Sequence, residues 1–194
     1  MALARRCTLA CKRIADLLIA CSLLLLLAPL LLALALLVRL DSPGPVLFRQ
    51  QRVGRGGVPF LMLKFRSMVA EAPRLGGYST AADDPRITRS GRWLRRASLD
   101  ELPQLINVLL GEMSLVGPRP DVPAQRADYA AHDWQLRHRV RPGITGLAQA
   151  TLRSEATAAQ RTALDLHYVA ELSLKLDLWI LLLTVRQLLR KGSC

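Results

Sequence analysis

The feature that most constrains this chain is an uncharged, mostly leucine segment near its N terminus, residues 17–38. As one straight helix its 22 residues would measure about 33 Å, which matches a bilayer core of roughly 30 Å. The segment is apolar on every side, whereas a helix on the surface of a soluble domain is apolar on one face only. The sequence therefore predicts that this segment lies in a membrane.

The charges and the proline around this segment leave its path through the membrane open. Four cations precede it and four follow it closely, so the positive-inside rule marks neither flank for export. Pro29 lies near the middle and removes the helical hydrogen bond to the carbonyl of Leu25. A spanning helix tolerates such a proline, but two arms that bend at Pro29 could also return to the same face. The residues alone allow either path.

The rest of the chain combines apolar mass with positive charge. The 194 residues contain 27 Lys and Arg against 15 Asp and Glu, a formal net charge of +12, and 51% are hydrophobic. This hydrophobic fraction excludes a disordered basic tail, and the charge favours nucleic acid or an anionic membrane surface as a partner. The cysteines, Cys7, Cys11, Cys21 and Cys194, lack the spacing of a disulfide framework or a zinc site and suit a reducing compartment.

Turn residues and hydrophobic periodicity divide the remainder into short elements. Strands over 46–53 and 58–65 should form a β-hairpin, because the glycine-rich residues 54–57 supply a turn between them. Residues 69–84 have the composition of a surface loop. Helices are predicted from about Ser90, over 98–110 with a stop at Gly111, over 123–138, and over 155–190. The expected fold class is α/β, mostly helical with a short β-hairpin.

The strongest local chemical signal is the sequence Ser98-Leu99-Asp100-Glu101. Ser98 and Glu101 have capping-box spacing, which would place Asp100 and Glu101 in the first turn of a helix. The free N–H groups and positive end of that helix would keep a carboxylate ionised, able to attack phosphorus or to bind Mg²⁺. Acids are also simply favoured at helix starts, and on the residues alone that ordinary explanation is preferred.

A run of arginines leads into this acidic pair. Arg86, Arg89, Arg92 and Arg95 recur at every third residue, which on a helix forms a stripe along one side. A stripe of this kind usually faces solvent or lipid headgroups, but here it ends beside two carboxylates. Cations at that point would help a polyanionic substrate to approach the acids.

Several sequence motifs follow one another along the chain: KRIAD (12–16), an apolar segment with a central proline, SPGPVLFRQQRVG (42–54), LKFRSM (63–68), DPRITRSGRWLRRASLDELPQLINVLLGEMSLVGPRP (84–120), RPGITGLAQ (141–149), then D..Y and LDLWILLLTV within 165–185. In this order they resemble a known family, the bacterial sugar transferases, and within it the small monotopic polyprenyl-phosphate phosphoglycosyl transferases. The resemblance runs from about residue 12 to residue 188, and the block over 84–120 is long and specific.

The resemblance implies a particular architecture and reaction. A membrane-embedded re-entrant helix hairpin over residues 1–40, bent at Pro29, would precede a catalytic domain over 41–194 on the cytoplasmic face of the bacterial inner membrane. The reaction implied is transfer of a phospho-sugar from a UDP-sugar to polyprenyl (undecaprenyl) phosphate, with UMP as the second product and Mg²⁺ as cofactor. This would be the first membrane step of surface-glycan synthesis, with membrane lipids as surroundings, downstream glycosyltransferases as possible partners and no nucleic acid.

The resemblance also implies roles for individual residues. Asp100 would attack the β-phosphorus and hold a covalent phospho-sugar, with Glu101 as partner acid and both carboxylates near Mg²⁺. The family pattern often has serine before the membrane proline, where this chain has Ala28, and glycine where it has Leu152. The expected binders of phosphate or nucleotide are Lys64, Arg66, Arg95, Arg119, Arg139, Arg141, Gln149 and Arg153.

A different class of function is also compatible with the composition, namely a membrane-bound basic scaffold or nucleic-acid-binding protein. Its arginines would make nonspecific phosphate contacts, so its binding to DNA would depend strongly on salt and would not require Asp100. An enzyme of the family would release UMP from a UDP-sugar and would fail without this carboxylate. Neither the sugar nor the glycan pathway is encoded in these motifs.

Overall fold

The computed structural model describes residues 2–75, 84–152 and 157–191, which are mostly helical. The helices are α1 (Ala2–Leu26), α2 (Ala28–Asp41), α3 (Ala72–Leu75), α4 (Arg89–Arg96), α5 (Gln104–Leu110), α6 (Ala131–Arg137), α7 (Leu147–Leu152), α8 (Ala158–Ala170) and α9 (Leu174–Lys191). The strands are β1 (Leu47–Val53), β2 (Pro59–Phe65), β3 (Ser114–Val116) and β4 (Gly143–Thr145), and 3₁₀ turns cover Arg55–Gly57, Leu99–Glu101 and Pro123–Asp128. The expected α/β fold class, mostly helical, is confirmed.

The apolar segment forms two helices rather than one. α1 ends at Leu26 and α2 begins at Ala28, with a bend of 64° between them. Pro29 lies in the first turn of α2, where a missing N–H is tolerated because the helix supplies no partner there. No described helix is long and apolar enough to span a membrane by itself, whereas this bent pair meets those two criteria when its arms are taken together.

The predicted β-hairpin is confirmed. β1 and β2 pair antiparallel from Leu47 opposite Phe65 to Val53 opposite Pro59, so only the turn residues separate the strands. Gly56 and Gly57 have φ angles of +70° and +81°, which glycine adopts without steric cost. The loop predicted over 69–84 contains the short helix α3, and residues 76–83 of that loop lie outside the described residues.

A parallel pair of strands was not expected from the sequence. β3 pairs with β4, Ser114 opposite Gly143 and Val116 opposite Thr145, in segments whose prolines and glycines indicated only turns. The backbones approach so closely that a Cβ on Gly143 would lie 2.1 Å from the Gly117 nitrogen. This pairing brings residues almost 30 positions apart together and supports the loop that follows β3.

Three of the predicted helices are interrupted. The helix predicted over 98–110 starts only at Gln104, because Pro103 lacks the N–H that a longer helix needs at that position. It ends at Gly111, which adopts φ +86°, as predicted. The helix predicted over 123–138 is divided into a 3₁₀ turn and α6, since Tyr129 is extended and its hydroxyl donates to Asp121. The helix predicted over 155–190 is likewise divided, between α8 and α9.

The two helices of the bent pair, α1 and α2, pack against different hydrophobic clusters. α1 contributes Ala20 to a core that includes Met62 of β2, Val108 of α5 and Ile180 of α9. α2 contributes Leu34 and Val38 to a second cluster with Phe65 and Leu94. Much of the other apolar surface of α1 and α2 is exposed: Leu18, Leu25, Leu26, Leu32, Leu36 and Leu40 are each at least 60% accessible.

A buried polar network joins the first helix to the end of the chain. The Nζ atom of Lys12 donates to the main-chain carbonyl of Val116 at 3.0 Å and to Asp177 at 2.7 Å. The hydroxyl of Tyr168 lies 2.7 Å from the other oxygen of Asp177 and 3.0 Å from the same Val116 carbonyl. Asp16, one turn after Lys12, accepts the N–H of Leu115. Thus polar side chains fix α1 and α8 directly to β3, and α9 is held to both helices through Asp177.

Replacing Lys12 with Met should leave the carboxylate of Asp177 buried without its cation. Removing one partner of a buried ion pair costs about 3–5 kcal/mol, so we expect a clearly lower midpoint of thermal unfolding in detergent solution. The double variant Lys12→Met/Asp177→Leu removes both charges and should recover part of that loss. A single variant as stable as the parent protein would contradict this role of the network.

Candidate active site

The acidic pair opens into a cavity of about 1240 Å³. Its walls come from β1, β2, the turn around Asp100, the loop after β3 and part of α9. Leu23 and Leu27, at the bend of the helical hairpin, also line it. One continuous space therefore joins the acidic pair to the apolar bend.

Asp100 lies in the 3₁₀ turn between α4 and α5 and is 8% exposed. Ser98, the residue just before this turn, has φ +58° and is the single non-glycine residue with positive φ among those described. Burial raises the pKa of Asp100, and the neighbouring carboxylate of Glu101 raises it further, while the charges of Lys64 and Arg95 oppose the shift. Asp100 forms no ion pair with any residue in the described ranges.

Glu101 has the opposite electrostatic environment. Its Oε1 atom accepts two hydrogen bonds, one from Lys64 and one from Arg119, each at 2.8 Å. Burial would raise the pKa of Glu101, but the two cations and their hydrogen bonds together lower it to about 2. Glu101 is therefore ionised at neutral pH and is already neutralised by protein cations.

The prediction of a capping box between Ser98 and Glu101 is wrong. The side chain of Ser98 makes no capping hydrogen bond, and Glu101 binds Lys64 and Arg119 instead of the backbone at the start of a helix. Two nearby cations attract the carboxylate more strongly than a backbone N–H does. The expected cause of ionisation is also wrong: Glu101 is held ionised by cations, and the pKa of Asp100 is raised rather than lowered.

Five of the expected binding residues line the cavity: Lys64, Arg66, Arg95, Arg119 and Gln149. Arg66 is anchored, because its Nη2 atom donates to the main-chain carbonyls of Val38 and Ser42 and so holds the end of α2. Gln149 donates to the carbonyl of Ile144 through its amide nitrogen, and its amide oxygen is buried without a hydrogen-bond partner among the described residues.

The structure does not bring Arg139 or Arg141 to the cavity. Arg139 is exposed and lies outside the cavity lining. Arg141 donates from its Nε atom to the carbonyl of Gly111 at 2.7 Å, which takes it to the end of α5. Arg153 lies outside the described residues.

Three arginines outside the set of expected binding residues also line the cavity: Arg49, Arg52 and Arg86, of which only Arg86 was noted in the sequence, as the first of the arginine run. Arg49 and Arg52 lie on β1, which pairs with β2, the strand that carries Lys64. Burial, followed by the charge of Arg119, lowers the pKa of Arg52 to about 10, so it stays cationic at neutral pH. The high arginine content of the first strand of the predicted β-hairpin was the one signal that could have identified Arg49 and Arg52.

The acidic pair is compatible with Mg²⁺ bound together with a substrate. The described residues contain no group of three or more His, Cys, Asp or Glu side chains that would enclose a metal. Mg²⁺ is often held by only one or two carboxylates, with phosphate oxygens and water completing its coordination. Asp100 and Glu101 supply that number, and Asp100 has no competing ion pair in the described part of the chain.

Carboxylates beside several cations in an open cavity define a class of site, one suited to binding and reacting with phosphate esters. The chain belongs to the bacterial sugar transferase family, whose model matches residues 7–191. It is 48% identical to the undecaprenyl-phosphate glucose phosphotransferase of Komagataeibacter xylinus, covering 91% of this chain and 35% of that relative.

Two further relatives have similar identity but different lengths. The UDP-glucose:undecaprenyl-phosphate glucose-1-phosphate transferase of Caulobacter vibrioides is 48% identical, over 92% of this chain and 69% of the relative. The exopolysaccharide production protein PSS of Rhizobium leguminosarum bv. phaseoli is 46% identical, over 94% of this chain and 96% of the relative. The chain thus spans about a third of the first relative and nearly the whole of the last.

Glu101→Gln should destabilise the protein because it leaves Lys64 and Arg119 without their shared carboxylate. Leaving a partly buried donor unsatisfied costs about 1–3 kcal/mol, measurable as a lower thermal unfolding midpoint. Glu71→Gln makes the same chemical change at an exposed position outside the cavity lining and should have no effect. Equal midpoints for the two variants would show that the cations do not depend on Glu101.

Proposed function

We propose that this protein transfers a hexose 1-phosphate from UDP-glucose to undecaprenyl phosphate, forming undecaprenyl-diphosphate-glucose and UMP. The observation that carries the proposal is the position of Asp100, buried in a cavity with Lys64, Arg95 and Arg119 and without an ion pair of its own among described residues. The names of the Komagataeibacter and Caulobacter relatives support transfer to undecaprenyl phosphate and favour glucose as the sugar, and the name of the Rhizobium relative supports a role in exopolysaccharide production.

The reaction proceeds in two displacement steps at one phosphorus atom. A carboxylate oxygen of Asp100 forms a bond to the β-phosphorus of the UDP-sugar, and the bond from that phosphorus to the bridging oxygen breaks. UMP departs with that oxygen and its electron pair, which leaves a phospho-sugar on Asp100. An oxygen of the lipid phosphate then attacks the same phosphorus and breaks the bond to Asp100. The carboxylate is regenerated, as covalent catalysis requires.

The buried environment of Asp100 suits it to attack phosphorus. A carboxylate whose pKa is raised by burial is a stronger base and a better nucleophile when ionised than one in water. Cations must offset the repulsion between this carboxylate and a diphosphate, and Lys64, Arg95 and Arg119 lie in the same cavity. Glu101 holds Lys64 and Arg119 beside Asp100.

Mg²⁺ is the proposed cofactor, with Asp100 and Glu101 as its protein ligands. When bound with the diphosphate it supplies positive charge that stabilises the departing phosphate oxygens. The protein residues keep their own roles: Asp100 bonds to phosphorus, and Glu101 orients the cations. Chelation with EDTA should therefore stop turnover, and added Mg²⁺ should restore it.

The helical hairpin is proposed to enter the inner leaflet of the bacterial inner membrane and return to the cytoplasmic face. Its exposed leucines, the 64° bend and the cations on both flanks support this path. Residues 41–194 would then form the catalytic domain on the cytoplasmic face. On α9, Leu178, Trp179 and Leu182 are exposed, which is typical of a helix at a membrane interface.

A membrane position of this kind gives one site access to two very different substrates. The nucleotide sugar reaches the polar side of the cavity from the cytoplasm. The lipid phosphate reaches the side lined by Leu23 and Leu27 from the bilayer. The product is a lipid-linked sugar that downstream glycosyltransferases would extend into a surface polysaccharide.

Asp100→Asn should lower the rate of UMP release from UDP-glucose, in the presence of undecaprenyl phosphate and Mg²⁺, by at least about 10³-fold, because an amide is not a nucleophile toward phosphorus. Asp128→Asn, the same change at an exposed aspartate, is the matched control and should retain parental activity.

The parent should also release UMP faster from UDP-glucose than from UDP-N-acetylgalactosamine.

Undiminished turnover by Asp100→Asn would overturn the mechanism. No UMP release by the parent from either nucleotide, combined with salt-dependent binding to DNA, would support the basic scaffold instead.

The proposed topology is tested with single cysteines in an otherwise cysteine-free chain. Cys7 before the bend and Val58→Cys in the β-hairpin are both exposed, and both should react with an impermeant thiol reagent only in inverted membrane vesicles. Leu26→Cys, beside the bend, should resist the reagent from either side because the bilayer covers it. Labelling of Cys7 and Val58→Cys from opposite sides would mean that the helices span the membrane.

A further inference from the structure

Arg119 is a key cation of the cavity, yet its own side chain is weakly confined. Nearly half of it, 47%, is exposed, and its one ion pair within the described part of the chain is the contact with Glu101. A long, half-exposed side chain loses considerable rotamer freedom when it is held in one position. Its precision must therefore come from the backbone to which it is attached.

The backbone around Arg119 is held at four successive carbonyls. The carbonyl of Pro118 accepts the N–H of Gly143 at 2.9 Å, and the carbonyl of Asp121 accepts the N–H of Val53 at 2.9 Å. Between them, the carbonyl of Pro120 accepts a hydrogen bond from Arg52 at 2.8 Å. The carbonyl of Arg119 itself accepts a hydrogen bond from the Nη2 atom of Arg137 at 2.6 Å.

Arg137 is the last residue of α6 and is 5% exposed. Besides the carbonyl of Arg119, it contacts two buried carboxylates: its Nε atom donates to Asp165 at 2.9 Å and its Nη1 atom to Asp121. The planar guanidinium thus holds three acceptors in fixed directions. Lysine has one nitrogen at the end of a flexible stem and cannot reproduce this geometry.

Arg137 does not line the cavity, so it has no access to a substrate there. Arg52 differs in this respect, because it lines the cavity and also holds the carbonyl of Pro120. An effect of Arg137 on the reaction must therefore pass through the loop that carries Arg119. This separation makes its role testable apart from substrate binding.

We infer that Arg137, held by Asp165, is a positioning residue that fixes Arg119 through its main-chain carbonyl and so aims the Arg119 guanidinium at Glu101 and the donor diphosphate. The inference rests on the proposed function, since it concerns the same reaction. It also explains why α8 contributes Asp165 to a buried ion pair far from the acidic pair in sequence.

The test is a double-variant comparison with UMP release as the readout. Arg137→Lys in the parent should lower kcat/KM by about 10- to 100-fold, the range expected when a catalytic group is misplaced by about 1 Å. In an Arg119→Gln background, the same change should lower kcat/KM less than about 3-fold, because the group that it positions is already gone. The loss in kcat/KM caused by Arg137→Lys should also divide between kcat and KM as the loss caused by Arg119→Gln does.

Two controls keep the test decisive. Arg126→Lys alters an exposed arginine outside the cavity lining and should leave activity at the parental level. Asp165→Asn keeps the shape of the partner of Arg137 but removes its charge, and it should show the same dependence on Arg119. This variant provides the answer if Arg137→Lys does not fold, as judged by its thermal unfolding midpoint.

Equal losses from Arg137→Lys in the parent and Arg119→Gln backgrounds would overturn the inference, because they would indicate a general structural effect. Activity of Arg137→Lys within about 3-fold of the parent would also overturn it. Failure of the parent itself to release UMP would instead refute the proposed function, which distinguishes the two conclusions.

Discussion

The main-chain carbonyl of Val116 is the point on which the packing of this protein depends. Lys12 from the first helix donates to it, and Tyr168 and Asp177 from the last two helices complete the same buried network. Buried charges of this kind are costly unless they are fully paired, so the network specifies one arrangement of these helices. Because Arg119 follows Val116 by three residues, the network that anchors α1 also supports the loop that carries Arg119 into the candidate active site.

The two adjacent carboxylates of the site, Asp100 and Glu101, have pKa values shifted in opposite directions because their surroundings differ. Glu101 faces Lys64 and Arg119, which keep it ionised with a pKa of about 2. Asp100, one residue earlier, is buried without an ion pair in the described ranges, and its pKa is raised. Environments that separate the behaviour of two neighbouring acids are typical of active sites, where one acid reacts while the other organises charge.

Local features of the fold could be predicted from the sequence, and features that depend on distant contacts could not. The break near Pro29, the β-hairpin and the helix stop at Gly111 each follow from residues within a few positions of the feature. The pairing of β3 with β4 joins short segments rich in turn residues, which carry no strand periodicity. Similarly, Arg137 gives no local signal, because its importance comes from the carbonyl of Arg119 and from Asp165, both distant in sequence.

The covalent role of Asp100 is tested most directly by the mass of the intact protein. Protein mixed with UDP-glucose and Mg²⁺ without a lipid acceptor, then quenched rapidly with acid, should gain the mass of one hexose phosphate. After digestion, the added mass should lie on the peptide that contains Asp100. Addition of undecaprenyl phosphate before the quench should remove this adduct. A preparation that turns over substrate but never shows the adduct would contradict the account, and so would an adduct that persists in Asp100→Asn.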